Sequence, residues 1–181
     1  MVKLDLGCGP NKKEGFIGID QFPMEGVDVV IDVRKERLPY DDGSVDEIYA
    51  SHFLEHLTAL ERVHLLNEVY RVLKHGGTAT VITPHWASNR AYGDFTHQWP
   101  PVSEMFYYYL SKSWRDTNAP HTDGGINPDG YTCDFLATWG YSYNPELNNR
   151  HQEHIQFALA NYKEVIMDMQ ATLTKKSLVE D

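Results

Sequence analysis

The sequence predicts an alternating α/β protein on a seven-stranded, mostly parallel sheet. Five short apolar runs, separated by glycine-rich or charged links, fill the first 85 residues, and a clean amphipathic helix lies between the last two. An aromatic-rich stretch then interrupts the pattern before two further runs. Apolar runs this short suit strands buried on both faces, as parallel sheets require.

In chain order, strands are expected at Val2 to Leu6, Phe16 to Asp20, Val27 to Ile31, Val45 to Ala50 and Thr78 to Thr83. Thr58 to Lys74 is the helix. Its Leu60, Val63, Leu66, Val69, Tyr70 and Leu73 recur at three- and four-residue spacing, and His75-Gly76-Gly77 supplies the stop. From Pro84 to about Asp134 the chain turns to Trp86, Trp99, Pro100, Pro101, Tyr107-Tyr108-Tyr109 and Trp114, an insertion with one helix at Ser103 to Trp114. Its aromatics either cover the sheet as a second small core or line a substrate pocket, and packing is the commoner use of such residues. The pattern resumes with a strand at Phe135 to Tyr143, a helix from about Glu146 to Asn161 and a strand at Val165 to Thr174. In that last strand Met167, Met169, Ala171 and Leu173 alternate as in a half-exposed edge strand.

A chain of 181 residues with 41% apolar and 12% aromatic content supports one sizeable core, so residues 1 to 181 are expected to form a single domain. The formal charge of −10 works against sequence-independent attraction to nucleic acid. Arg34, Lys35 and Arg37, and the Lys175-Lys176 pair, are the local basic clusters, expected as solvated surface. Cys8 and Cys133 are expected as free thiols, with Cys8 packing as a small residue. No run approaches a membrane span, and MVKLDLGCGP opens on a core strand rather than a leader, so a cytoplasmic location is expected.

Residues 4 to 20, LDLGCGPNKKEGFIGID, carry the chemistry: a strand runs into Gly7-Cys8-Gly9, and the next strand ends on Asp20. Glycines allow close approach of backbone to a ligand, and a carboxylate at a strand end can take both hydroxyls of a ribose. The loop continues Pro10-Asn11-Lys12 without the third glycine of a dinucleotide site, and no G-x-x-x-x-G-K-[ST] is present. Asp5, Asp20 and Asp32, each at or near a strand end, suit a nucleoside ligand with a cationic rather than phosphate-bearing tail.

In order, the segments DLGCG, GID, IDVRKERLPYDDGSVDEIYASHFLEHL and EVYRVLKHGGTATVITP resemble the motifs of the class I S-adenosylmethionine (SAM) dependent methyltransferases. The loop is most similar to the short GCGP-x-K-x-x-G-[FW]-I-x-[IV]-D form of the type 11 methyltransferases, found in bacteria and their phages. The resemblance implies a Rossmann-like sheet whose last strand is antiparallel. It also implies that Gly7 and Gly9 approach the methionyl part, Asp5 its ammonium, Asp20 the ribose diol, Asp32 the adenine amino group and the Val33 N–H a ring nitrogen. Ser51 and His52 would border the methionyl group, and Cys8 and Gln21 complete the expected cofactor set. Asp32 has a second reading as the cap of a turn before Arg34, and His52, Glu55 and His56 one as a helix-start cluster. Only the short loop from Gly9 to Phe16 stands where most members place a full helix, which leaves the site more open on that side.

For the acceptor side, His85 and the Gly93-Asp94-Phe95-Thr96-His97 segment supply the candidate catalytic groups Asp94, His97 and His85. The segment resembles a D-P-T-H stretch of short bacterial relatives, with Phe95 in place of proline. Asp94 and His97 could instead brace the insertion, or join His121 and Asp123 around a metal. No tight ligand spacing supports that last use, and no metal is assigned. Ala50-Ser51-His52-Phe53 differs from the Asn/Asp-Pro-Pro-aromatic motif of enzymes acting on exocyclic amino groups of DNA. With the acidic charge this disfavours a base-modifying DNA enzyme; a small metabolite, a sugar or a protein side chain stays open, with a small molecule expected first and residues 85 to 134 as a substrate cap. The rival expectations are a SAM-binding sensor or partner subunit without transfer activity, and a SAM-consuming lyase.

Overall fold

A computed structural model describes residues 1 to 147 and 149 to 176. Its strands are β1 (Lys3–Leu6), β2 (Ile17–Asp20), β3 (Val29–Val30), β4 (Val45–Ser51), β5 (Leu73–Pro84), β6 (Phe135–Tyr143) and β7 (Ile166–Lys175). The helices are α1 (Ala59–Val72), α2 (Glu104–Tyr108), α3 (Lys112–Asn118) and α4 (Gln152–Asn161). The seven strands form one sheet in the order β3-β2-β1-β4-β5-β7-β6, parallel from β3 to β5, with β7 antiparallel to both its neighbours. This is the Rossmann-like, mostly parallel sheet expected from the sequence. It places β1 at the point where the order reverses, and ligands of such sheets bind beyond the carboxyl ends of the strands at that point.

The core lies on one face. Leu4, Leu6, Ile19, Ile48, Ala50, Ala79, Val81, Ala171 and Leu173 pack with Leu65, Leu66, Val69 and Val72 of α1 in a single cluster. α1 starts on a reciprocal cap, with the Thr58 N–H donating to Glu61 Oε2 at 2.8 Å and the Glu61 N–H to Thr58 Oγ1 at 3.4 Å. Val102, Tyr107, Leu110, Tyr131 and Cys133 of the insertion belong to the same cluster, so the inner aromatics extend the main core instead of forming a second one.

Among the described residues, the other sheet face carries no such layer over β5, β7 and β6. Thr78, Thr174 and Leu136 lie in register across β5, β7 and β6, as do Thr80, Thr172 and Thr138, and all six are half-buried or exposed. A furrow of ≈510 Å³ runs along this face between Ile82, Gln170, Thr172, Thr138 and Ser142. Here the expectation of an edge strand is corrected: β7 lies inside the sheet and β6 is the edge. The alternation of Met169, Ala171 and Leu173 with Gln170, Thr172 and Thr174 arises because one face is covered and the other bare.

Four boundaries also move. The third strand shortens to Val29–Val30. The glycine pair after α1 lies within β5, which pairs with β4 through Leu73 and again from Thr78; Gly76 turns the chain there with φ 74°. The helix at Ser103 to Trp114 divides into α2 and α3 around Leu110, whose carbonyl accepts the Phe135 N–H at 2.9 Å. The helix from Glu146 begins instead at Gln152, after a single tight turn at Pro145–Leu147.

Candidate functional site

The carboxyl ends of β1 and β2 open on a cleft of ≈260 Å³ walled by Gly7, Asp20, Gln21, Phe22, Met24, Ile31, Asp32, Val33, Arg34, His52, Phe53 and His56. Asp20 is fixed at its edge by two backbone donors, the Gly9 N–H to Oδ2 and the Phe22 N–H to Oδ1, each 3.0 Å. Each carboxylate oxygen accepts twice, so Asp20 retains one free lone pair on each, the pattern a vicinal diol needs. Gly9 has a left-handed φ of 51° and open space where a Cβ would stand, so a ligand can reach its backbone.

Gly7 is glycine for a different reason. A Cβ there would lie 2.3 Å from the Phe53 ring, so the ring itself packs on the backbone of the loop. Cys8 is buried, with Sγ 2.9 Å from where a Gly18 Cβ would stand, and its thiol is pushed up to about 11 by burial and by Asp5 and Asp20. It packs as a small neutral residue, and its side chain does not line the cleft.

Asp5, only 3% exposed, holds the short loop by accepting the Lys13 N–H at 2.8 Å. Burial raises its pKa, opposed by Lys13 and Lys12. Neither Asp5 nor Ser51 is among the residues walling the cleft. Asp32 is, and it caps the turn before Arg34. Its Oδ1 accepts the Arg34 N–H at 3.2 Å as a turn cap, and the Arg34 side chain forks onto it with Nε at 2.6 Å and Nη2 at 2.8 Å. That guanidinium holds the Asp32 pKa below the carboxylate range. Arg34 also donates to Gln21 Oε1 at 2.7 Å, so the expectation that it is plain solvated surface is corrected. Lys175 is likewise buried, with Nζ 2.8 Å from the Leu73 carbonyl.

His52 sits in the left-handed region at φ 52°, where its Nδ1 lies 3.3 Å from Glu55 Oε1, and this partner raises its pKa. His56 follows on the same turn, and its ring meets that of His97 edge-on with centroids 4.7 Å apart. Asp94 does not pair with the His97 ring. Its Oδ1 accepts the Thr96 N–H at 2.8 Å and hydroxyl at 2.7 Å, and these hold its pKa down. His85 is buried away from the cleft, with Nδ1 accepting the Ala87 N–H and Nε2 3.0 Å from Glu104, which also accepts from the Tyr141 hydroxyl at 2.9 Å. Asp123 is taken by Arg115, which is fully buried, at 3.0 and 3.1 Å, so it does not join Asp94 and His97.

Sequence reasoning missed Phe22, Met24, Ile31, Arg34 and Phe53 as cleft residues, and weighed His56 only together with His52. The only signal was their nearness in the chain to Gln21, Asp32 and His52.

Residues 19 to 81 match the family described as a methyltransferase domain. An uncharacterised methyltransferase of Synechocystis sp. (strain ATCC 27184 / PCC 6803 / Kazusa) is 26% identical over 148 residues, 71% of this chain; the match spans 66% of that relative's length. Among solved structures, a SAM-dependent methyltransferase from Archaeoglobus fulgidus superposes with a TM-score of 0.64 at 21% identity, covering 96% of this chain and 85% of the other. Geranyl diphosphate C-methyltransferase from Streptomyces coelicolor A3(2), solved with Mg2+, geranyl diphosphate and S-adenosylhomocysteine, superposes with a TM-score of 0.55 at 14% identity, covering 96% and 72%.

Proposed function

We propose that this chain is a class I SAM-dependent methyltransferase that binds SAM in the cleft at the ends of β1 and β2 and transfers its methyl group to a small-molecule acceptor. The observation that carries the reading is Asp20, tethered by two backbone donors with a lone pair left on each oxygen, facing a glycine whose backbone is open. SAM supplies a methyl group already activated by the sulfonium, so the protein's part is alignment and exclusion of water.

Asp20 would hold the ribose diol, and the Asp32, Val33 and Arg34 wall would take the adenine. The buried charge of Asp5 favours the cationic amino acid end. The segment from 85 to 134 is the cap in this reading. Its outer residues Trp86, Tyr92, Trp99, Met105 and Tyr108 surround a hollow of ≈430 Å³ with Glu104 at its wall, a shape and polarity suited to a small organic acceptor. His97 stands one ring from the cleft behind His56 and, with no ion bound to it, is the candidate for proton removal. Both nitrogens of His85 are engaged, so a proton role for it passes through Glu104.

Calorimetric titration with S-adenosylhomocysteine tests the cofactor. We expect saturable binding that weakens roughly 10- to 100-fold in Asp20→Asn, the size of a hydrogen bond to a charged group. Folded protein that binds neither SAM nor its product overturns the assignment. Incubation of SAM with a panel of amines, phenols and carboxylates should release S-adenosylhomocysteine. Release of methylthioadenosine without an acceptor would mark a lyase instead.

A further inference from the structure

We propose that Glu55, His56 and His97 form a binding site for a divalent first-row transition-metal ion, Zn2+ or a near neighbour, at the edge of the cofactor cleft. Each of the three offers a ligand atom within 4.8 Å of the others, the one such cluster among the described residues.

Two independent features point to an ion. Glu55 is 5% exposed, and its Oε2 is buried without a hydrogen-bond partner. An orphaned buried polar atom is costly, and more so on a charged group. The other oxygen, Oε1, lies 3.3 Å from His52 Nδ1, and the nearby buried Arg62 interacts with the carboxylate through space without a hydrogen bond to it, because its guanidinium donates to the carbonyls of Leu54, Pro100 and Gln98 at 3.0, 2.6 and 3.2 Å. The second feature is the pair of imidazoles. Thr96 gives its hydroxyl proton to Asp94 at 2.7 Å and so accepts from His56 Nδ1 at 2.9 Å, while His97 Nδ1 lies 3.3 Å from the Ala91 carbonyl. Both rings therefore carry their proton on Nδ1 and keep the Nε2 lone pair free, the arrangement that orients metal-binding histidines.

Two imidazoles and one carboxylate suit Zn2+, Fe2+ or Co2+ and not the all-oxygen shells of Ca2+ and Mg2+. Metal bonds of about 2.1 Å put tetrahedral ligand atoms roughly 3.4 Å apart, so the three side chains draw in by about 1 Å on loading. Asp94 then acts through Thr96 as the anchor of His56. An ion on three protein ligands keeps a position open for water or an acceptor oxygen. That last use rests on the methyl transfer reading, whereas ion binding does not.

Chelator-stripped protein titrated with Co2+ and followed by its visible absorption tests the site, with Zn2+ as competitor. We expect one equivalent of Co2+, displaced by Zn2+. Glu55→Gln and His97→Gln should abolish the saturable signal, and Thr96→Val, which leaves all three ligands, should weaken it about 10- to 100-fold. The exposed His154→Gln should bind as wild type. Circular dichroism and metal-free titration with S-adenosylhomocysteine report the fold of each variant. Absence of stoichiometric Co2+ or Zn2+ binding by the folded wild type, or binding unchanged in both Glu55→Gln and His97→Gln, overturns the proposal. Co2+ binding without S-adenosylhomocysteine binding would sink the methyl transfer reading and leave the ion site standing.

Discussion

Asp5 shows a residue kept at a cost to stability. Its burial raises the pKa above the ordinary 3.8, so the charged form is the disfavoured one in the folded chain. Below 3.8 the group is protonated in folded and unfolded chains alike and the cost vanishes; as pH rises through the raised folded value the cost builds and is complete at neutral pH. Asp5→Asn, whose amide oxygen can still accept the Lys13 N–H, should therefore be more stable than wild type at pH 7, with the gain shrinking as pH falls toward 4, in urea melts at both values. It should also bind SAM more weakly, because the cationic end of the ligand loses its counter-charge. A variant less stable at pH 7 would show that the charge is a net benefit through Lys13. At this scale the sequence located Asp20 and Asp32 because acids at strand ends are positional signals. It misplaced Arg34, since the fork onto Asp32 and Gln21 depends on how the chain turns after β3.

The segments that carry the site are tied together by buried cations. Arg62 of α1, 1% exposed, joins the turn after β4 to the segment at Gln98 to Pro100 through carbonyl oxygens. Arg115 of α3 does the same for the insertion, gripping Asp123 and the carbonyls of Tyr109 and Cys133. Arg62→Met keeps much of the volume but strands several buried carbonyls, so a loss of about 3 kcal/mol or more is expected in urea denaturation. The variant should also lose Co2+ affinity, because Glu55 and His97 lie on the two segments it joins. The helix period made α1 legible in the sequence, and its caps explain its start. The break between α2 and α3 was not legible, because it follows from the Leu110 carbonyl meeting β6, a contact distant in sequence.

At the scale of the whole molecule, α1 covers the sheet face that carries the core. The short loop from Gly9 to Phe16, braced by Lys13 on the Phe16 and Tyr49 rings at 4.8 and 3.9 Å, stands where a helix would cover the other. Ligand binding should then stabilise the fold measurably. S-adenosylhomocysteine at about 100 times its Kd adds about 2.7 kcal/mol, which for a chain of this size raises Tm by roughly 5 to 10 °C. ATP and NAD should leave Tm unchanged, and a comparable rise with either would argue against the cofactor assignment.

The sequence by itself determined the order of the strands along the chain, the helix α1, the glycine loop and the acids around it, because these rest on periodicity and on residue types at element ends. Tertiary structure alone decided that β7 is interior, that Phe53 fills the space over Gly7, and that Glu55, His56 and His97 converge. Each of these depends on contacts between segments far apart in the chain, which local pattern does not encode. The bare face belongs to the same class: alternation in a strand reports which side is covered, and only the assembled sheet shows whether the cause is an edge or a missing layer.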